Sequence, residues 1–161
     1  MQGSGLVSTL LRTGTAVAAT AVLGSVATKD INSAWYEGLH KPTIQPPGIV
    51  FPFVWTTLYT SIALGSAHVI ERLSSEPRRA GAFERALWTN LALNASWSWV
   101  FFRAHRLPLA VVVAAVLAVS SADLARRAYR ADPKAAAALT PYAAWCGFAT
   151  VLTAAIWRRN R

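Results

Sequence analysis

The sequence predicts an all-α integral membrane protein, a single domain over residues 1–161 made of five transmembrane helices. Three observations carry that prediction. Hydrophobic residues make up 54% of the chain and charged residues only 14%, against roughly a quarter charged in soluble domains. The apolar residues fall into five stretches, most of them near the ~20 residues that cross a bilayer as a helix. The basic residues gather between the stretches, as in Arg78-Arg79, Arg103 with Arg106, Arg126-Arg127 with Arg130, and Arg158-Arg159 with Arg161. Those flanking positions suit lipid phosphates at the headgroup level.

The first stretch, Leu6 to Ala27, predicts a helix over 6–28. Ser25 and Ala27 also form a small-residue pattern open to a signal peptidase. The extreme N-terminus lacks Lys and Arg, however, and Arg12 lies inside the stretch, so a span is the better reading. Segment 29–46 holds Trp35, Tyr36, Lys41, Pro42, Pro46 and Pro47. Proline fixes φ and removes a donor, so a semi-rigid rather than helical loop is expected. Ile49 to Ile70 predicts a helix over 47–72, and Phe83 to Phe102 one over 80–103, joined by a charged, solvated connection. Arg103 to Arg106 makes a tight hairpin. Leu107 to Ala122 is short on apolar count alone. It becomes a helix over 106–130 if Ala125 to Tyr129 continue it and their neighbouring arginines snorkel. Asp132-Pro133 stops that helix and starts the next, over 134–158. Spans of this length must satisfy their own backbone, which argues for helices. No alternating ten-residue pattern argues for a barrel.

The formal charge of +9 does not point to nucleic acid, because no soluble basic domain remains once the apolar stretches are removed. Cys146 is the single cysteine, so there is no internal disulfide and no Cys/His metal spacing. Nucleophile-elbow, zinc-protease, phosphate-loop and dinucleotide motifs are missing, and no catalytic residue or metal ligand is assigned. The basic residues divide almost evenly between the two sides of a five-span chain, so charge alone leaves the orientation open.

Several side chains are candidates for binding. On the third helix Asn90, Asn94, Trp97 and Phe101 share a face. Two carboxamides in a membrane helix must face the bundle interior. There they either bond a ligand's polar edge or join helices, and residue type alone favours the second role. On the fifth helix Tyr142, Trp145 and Ala149 share a face, with room beside the indole for a flat ligand or for ordinary helix packing. Phe51, Trp55 and Tyr59 form a similar stripe on the second. Among the ionisable residues in or near the spans, Asp123 sits one turn from Arg126 and Arg127, as in a local ion pair. Arg12 is placed to snorkel, and His68 lies towards the interface. Leu124, Tyr129 and Lys134 satisfy a sterol-type L-x4-Y-x4-K pattern, which matches often by chance. Ala110, Ala114, Ala118 and Ala122 make a small-residue stripe for close packing or a dimer seam.

These motifs converge on one resemblance. Trp35-Tyr36, Leu39, Lys41-Pro42, Pro46-Pro47, Val50-Phe51, Trp55 and Leu58-Tyr59 resemble the WYxxLxKPxxxPPxxVFxxxWxxLY signature of the tryptophan-rich sensory protein/translocator protein (TspO/MBR) family. Asn90 to Asn94, Trp97 and Phe101-Phe102 are similar to its QLALNxxWxxxFF motif. Pro141-Tyr142, Trp145, Phe148-Ala149-Thr150, Leu152, Ile156-Trp157 and Asn160 are similar to its PYxxWxxFATxLNxxIWxxN ending. The resemblance implies a five-helix bundle, usually a homodimer, with a pocket capped by the first loop and the C-terminus in the cytosol. It implies protoporphyrin IX, haem and sterols as ligands, no required cofactor, and roles in tetrapyrrole transport or stress sensing. By matching positions, Trp35, Trp55, Tyr59, Asn90, Asn94, Trp97, Trp145 and Ala149 line or border the pocket. Carboxylates of a tetrapyrrole would meet His40, Lys41 or Arg103. Two other readings stand beside this one: light- or oxidant-dependent porphyrin degradation, and a structural protein organising lipid or sterol. The chain departs from the family pattern at Thr43, Ile44 and Gln45, where a Trp is common, at Asn90 (Gln), at Thr153 (Asn) and at Trp99 (Pro). Loss of the loop Trp weighs against degradation more than against binding.

Overall fold

The computed structural model describes residues 2–161, and side chains from residue 5 onward apart from that at position 30. It contains six α-helices: α1 (Gln2–Ala27), α2 (Ala34–Glu37), α3 (Val50–Arg72), α4 (Pro77–Ser98), α5 (Leu107–Ala131) and α6 (Pro133–Arg159). Among the described residues there is no strand. Apart from the end of α4, the five long helices fall within about four residues of the expected boundaries, a scatter typical of fraying ends. Three of the starts follow from proline: Pro77, Pro108 and Pro133 occupy first-turn positions in α4, α5 and α6, where the missing N–H costs nothing. Asp132 caps α6 by accepting from the Lys134 N–H at 2.8 Å.

Two expectations needed correction. The segment after α1 is not free of helix: a 3₁₀ turn covers Thr28–Asn32, and α2 follows with Ser33 accepting from the Tyr36 N–H at 3.3 Å. The first half of the connection has no proline and is free to coil. The part from Pro42 to Pro47 is non-helical, with Gln45 N–H donating to the Pro42 carbonyl at 3.0 Å in a turn. The third predicted span also does not run through to residue 103 as one α-helix. It passes into a π-helical turn, Trp99–Arg103, before His105 reverses the chain at φ 54°. The sharp reversal before α5 uses a left-handed residue that is not glycine.

The long helices pack as a closed ring in the order α1, α4, α5, α6, α3, with α5 and α6 in the most extensive contact. On α5 the buried positions are Leu107, Ala110, Ala114, Leu117, Ser121, Leu124 and Ala128. They alternate three and four residues apart, the seam of a coiled coil. The alanine stripe therefore does not act as one surface: Ala110 and Ala114 are buried, whereas Ala122 is exposed. The sterol-type pattern divides in the same way, with Leu124 in the core and Tyr129 64% exposed. Between α3 and α6, Gly65 permits close approach, because a Cβ there would lie 3.3 Å from that of Ala138. Ser61 donates to the Ala138 carbonyl at 2.7 Å, in the turn that Pro141 loosens.

Four helices, α1 over Gly5–Ala27, α3, α5 and α6, are long and apolar enough to cross a membrane. α4 is not, and its polarity has two sources. Arg78, Arg79, Glu84 and Arg85 occupy its first turns, and Asn90 and Asn94 face the interior at 0% and 4% exposure. Glu84 pairs with Arg12 of α1 at 2.7 Å, so Arg12 has a protein partner as well as a route to the interface.

The end of the bundle opposite α2 is tied by Asp132. His68 Nε2 lies 2.8 Å and Arg72 Nε 3.3 Å from its carboxylate. The hydrogen bond from His68, then that from the Lys134 N–H, then the charge of Arg72 hold the Asp132 carboxyl below the usual carboxylate range. A depressed folded value means that the stabilisation is present above the ordinary carboxyl value near ~4 and is lost as pH falls through the folded value. Asp132→Asn retains a capping side chain and removes only the charge. It is expected to lower the Tm in detergent at neutral pH, with the gap to wild type closing below about pH 4. A gap that stays constant with pH would show that the charge contributes nothing.

Candidate functional site: an aromatic cavity inside the ring

The ring encloses a cavity of about 440 Å³, within the usual ~300–1,000 Å³ of ligand pockets. Helix periodicity explains which side chains reach it. On α3, Phe51, Trp55 and Tyr59 lie one turn apart and all line it. From α4 and the π turn come Asn94, Trp97, Phe101 and Phe102, and from α6 Trp145, Phe148 and Ala149. α1 contributes Ala21, Gly24 and Ser25, a small-residue face that leaves space. The rings support one another. Trp55 tilts on Tyr59 at 5.2 Å, Phe51 meets Trp145 edge-on at 5.9 Å, and Trp97 stacks on Phe101 at 5.3 Å. Such walls offer flat apolar faces at low entropic cost.

Six of the eight residues singled out in the sequence line this cavity: Trp55, Tyr59, Asn94, Trp97, Trp145 and Ala149. Asn90 and Trp35 are not part of its wall. Asn90 lies deeper, where its Oδ1 accepts from Tyr142 OH at 2.8 Å and its Nδ2 donates to Ser121 at 2.9 Å and Ser120 at 3.2 Å. Asn94 continues the network, donating to Tyr142 OH at 3.1 Å and accepting from Tyr59 OH at 2.9 Å. The two amides thus link α3, α4, α5 and α6, the helix-joining role. Trp35 instead stacks on His105 at 3.9 Å and meets Phe101 edge-on at 5.8 Å, fixing the first loop to the α4–α5 turn.

Thr28, Ile31, Tyr36, Gln45 and Gly48 of the first connection face the cavity. Gln45 donates to Tyr36 OH at 3.3 Å. Burial pushes the Tyr36 phenol above its ordinary value, and the Gln45 contact offsets part of this. Gln45 stands at a position marked in the sequence only as a departure from the family pattern. Its side-chain direction depends on the turn after Pro42, which no spacing rule reveals. His40, Lys41 and Arg103 do not line the cavity. His40 is clamped by Asn160, which accepts from its N–H at 2.9 Å and donates to its carbonyl at 3.1 Å. Arg103 lies over Trp99, whereas Lys41 sits 4.2 Å above the Tyr36 ring, at the cavity's loop end. Among the described residues no cluster of His, Cys, Asp or Glu is suited to a metal.

The sequence profile of the TspO/MBR family matches residues 13–158, nearly the whole chain. The chain belongs to the TspO/MBR family. It is 37% identical to the translocator protein of Homo sapiens over 127 residues, covering 78% of this chain and 75% of that protein. It is 34% identical to the tryptophan-rich sensory protein of Cereibacter sphaeroides over 126 residues, 78% of this chain and 77% of the relative. The tryptophan-rich protein TspO of Archaeoglobus fulgidus aligns over 146 residues at 34% identity, 90% of this chain and 92% of that one. Together with its apolar helices, membership makes this TspO/MBR protein a multi-pass integral membrane protein. The aromatic cavity is therefore a feature of a membrane bundle.

Proposed function

We propose that this protein is a membrane receptor or translocator for hydrophobic tetrapyrroles such as protoporphyrin IX and haem, with a role in their transport or in stress sensing. Sterols form a second ligand class for the same cavity. The observation that carries the reading is the cavity wall itself: indole and phenyl rings from α3, α4 and α6 around one apolar space. A flat macrocycle gains large contact area there. Its carboxylates would lie at the loop end, nearest Lys41. In this reading α4 is the fifth span. It occupies the ring between α1 and α5, residues 86–102 carry no charge, and its amides face inward, as polar groups in a membrane helix must. The termini then lie on opposite sides, with the C-terminus and first loop cytosolic, and the protein assembles as a homodimer.

Titration of detergent-purified protein with protoporphyrin IX and haemin, followed by the porphyrin absorption band, tests the proposal. Saturable binding of one macrocycle per chain is the expected result. A sterol that saturates the site while both tetrapyrroles fail to bind would transfer the reading to lipid organisation. Illuminating the complex should leave the porphyrin unchanged, and a new chromophore dependent on Trp residues would favour degradation instead.

A further inference from the structure

A second concavity lies outside the ring. It is an open notch of about 370 Å³ between α4 and α5, and it shares no lining residue with the aromatic cavity. Arg85 and Thr89 line it from α4, and Ser120, Asp123 and Arg127 from α5. Each set is spaced to share one helix face. The charge pattern sets its depth in the bilayer. Residues 86–102 and 107–122 carry no charge. Arg85 and Asp123 are thus the first charged residues met on the two helices as they leave the apolar region towards the end opposite α2. Trp88, exposed beside Arg85, is of the type that favours the membrane interface. Val112 and Val116, also exposed, stand two turns and one turn before Ser120 on the same face of α5. The notch therefore opens where headgroups meet acyl chains.

Its hydrogen-bonding chemistry is one-sided. Arg126 and Arg127 both donate to the Asp123 carboxylate, so the one acid in the notch is already engaged. Arg85 is exposed and has no acceptor among the described residues. Its guanidinium lies back along α4, with Nη1 3.5 Å from where a Cβ on Gly81 would stand. The Thr89 hydroxyl likewise has no partner among the described residues. Ser120 accepts from Asn90 at 3.2 Å, a bond that leaves its own O–H available. Guanidinium and hydroxyl donors converging beside an occupied carboxylate suit a phosphate oxyanion. Basic pockets between membrane helices hold lipid headgroups in this way.

We infer that the notch is a binding site for the phosphate of an anionic phospholipid. Arg85 and Arg127 pair with the phosphate oxygens. Thr89 and Ser120 donate to the same group or to the adjoining ester oxygens, and an acyl chain runs along Trp88, Val116 and Val112. The inference depends on the bilayer and not on what fills the aromatic cavity.

Lipid-free protein in dodecyl maltoside, titrated with dioleoylphosphatidylglycerol or dioleoylphosphatidylcholine and read by native mass spectrometry, tests it. One phosphatidylglycerol per chain should be held at least about 10-fold more tightly than phosphatidylcholine. Arg85→Gln and Arg127→Gln should each weaken it about 10-fold, and Thr89→Val about 3-fold. Arg85→Gln and Thr89→Val should leave the lipid-free Tm and protoporphyrin binding unchanged. Arg78→Gln removes an exposed charge from the same end of the bundle but outside the notch, and should leave phosphatidylglycerol retention unchanged. If it weakened retention as much as Arg85→Gln, diffuse charge rather than the notch would hold the lipid. Equal retention of the two lipids would also overturn the inference. So would release of phosphatidylglycerol by inorganic phosphate beyond that caused by chloride at equal ionic strength, which would assign the notch to a soluble oxyanion.

Discussion

Asn90→Leu is expected to destabilise the protein by about 2 kcal/mol while leaving ligand affinity nearly unchanged. The side chain is fully buried and makes three hydrogen bonds, one accepted from Tyr142 and two donated to Ser120 and Ser121. Bonds between membrane helices average only about 0.6 kcal/mol each, because the separated helices also find partners. Three of them, with the Tyr142 hydroxyl left without its acceptor, give the total. Tyr142→Phe should cost a similar amount, since its hydroxyl serves both Asn90 and Asn94. The double variant Asn90→Leu/Tyr142→Phe should cost less than the sum, because fewer groups are stranded. Thermal or denaturant unfolding in detergent measures all three. If Asn90→Leu kept its Tm and lost ligand binding, the amide would be a ligand contact rather than a tie between helices.

Trp145→Phe combined with Ala149→Phe should weaken protoporphyrin binding at least about 10-fold, or roughly 1.4 kcal/mol, with little change in Tm. Ala149 is one turn beyond Trp145 and both line the cavity. The added benzyl group occupies space a macrocycle needs, while the loss of the indole trims a stacking face. Because neither position belongs to the Asn90–Tyr142 network, folding should be spared. Absorption of the bound porphyrin is the suitable readout, since one indole is removed. Undiminished binding in the double variant would mean that this cavity is not where the macrocycle sits.

Much of this site was legible before the fold was known, because helical periodicity places side chains without reference to tertiary contacts. The stripes Phe51–Trp55–Tyr59 and Trp145–Ala149 reach the cavity together for that reason. The same logic could not separate Asn90 from Asn94. They lie one turn apart on one face, and depth in the bundle, set by how α4 meets α5 and α6, puts one in the wall and the other behind it. Trp35 and Tyr36 are adjacent in a motif, yet Trp35 turns to His105 and Tyr36 to the cavity. The short helix α2, capped by Ser33, fixes which of the two faces inward. The small face of α1, with Gly24 and Ser25, carried no aromatic or polar signal and was not anticipated.

The sequence by itself determined the bilayer as solvent, the number and approximate ends of the long helices, and family membership. Those properties depend on composition, on proline positions and on motifs read along the chain. Only the tertiary structure decided that the five long helices close into a ring and that, among the described residues, no charged side chain lines the cavity at its centre. Such features arise from which faces of separate helices meet, and no local pattern contains that information.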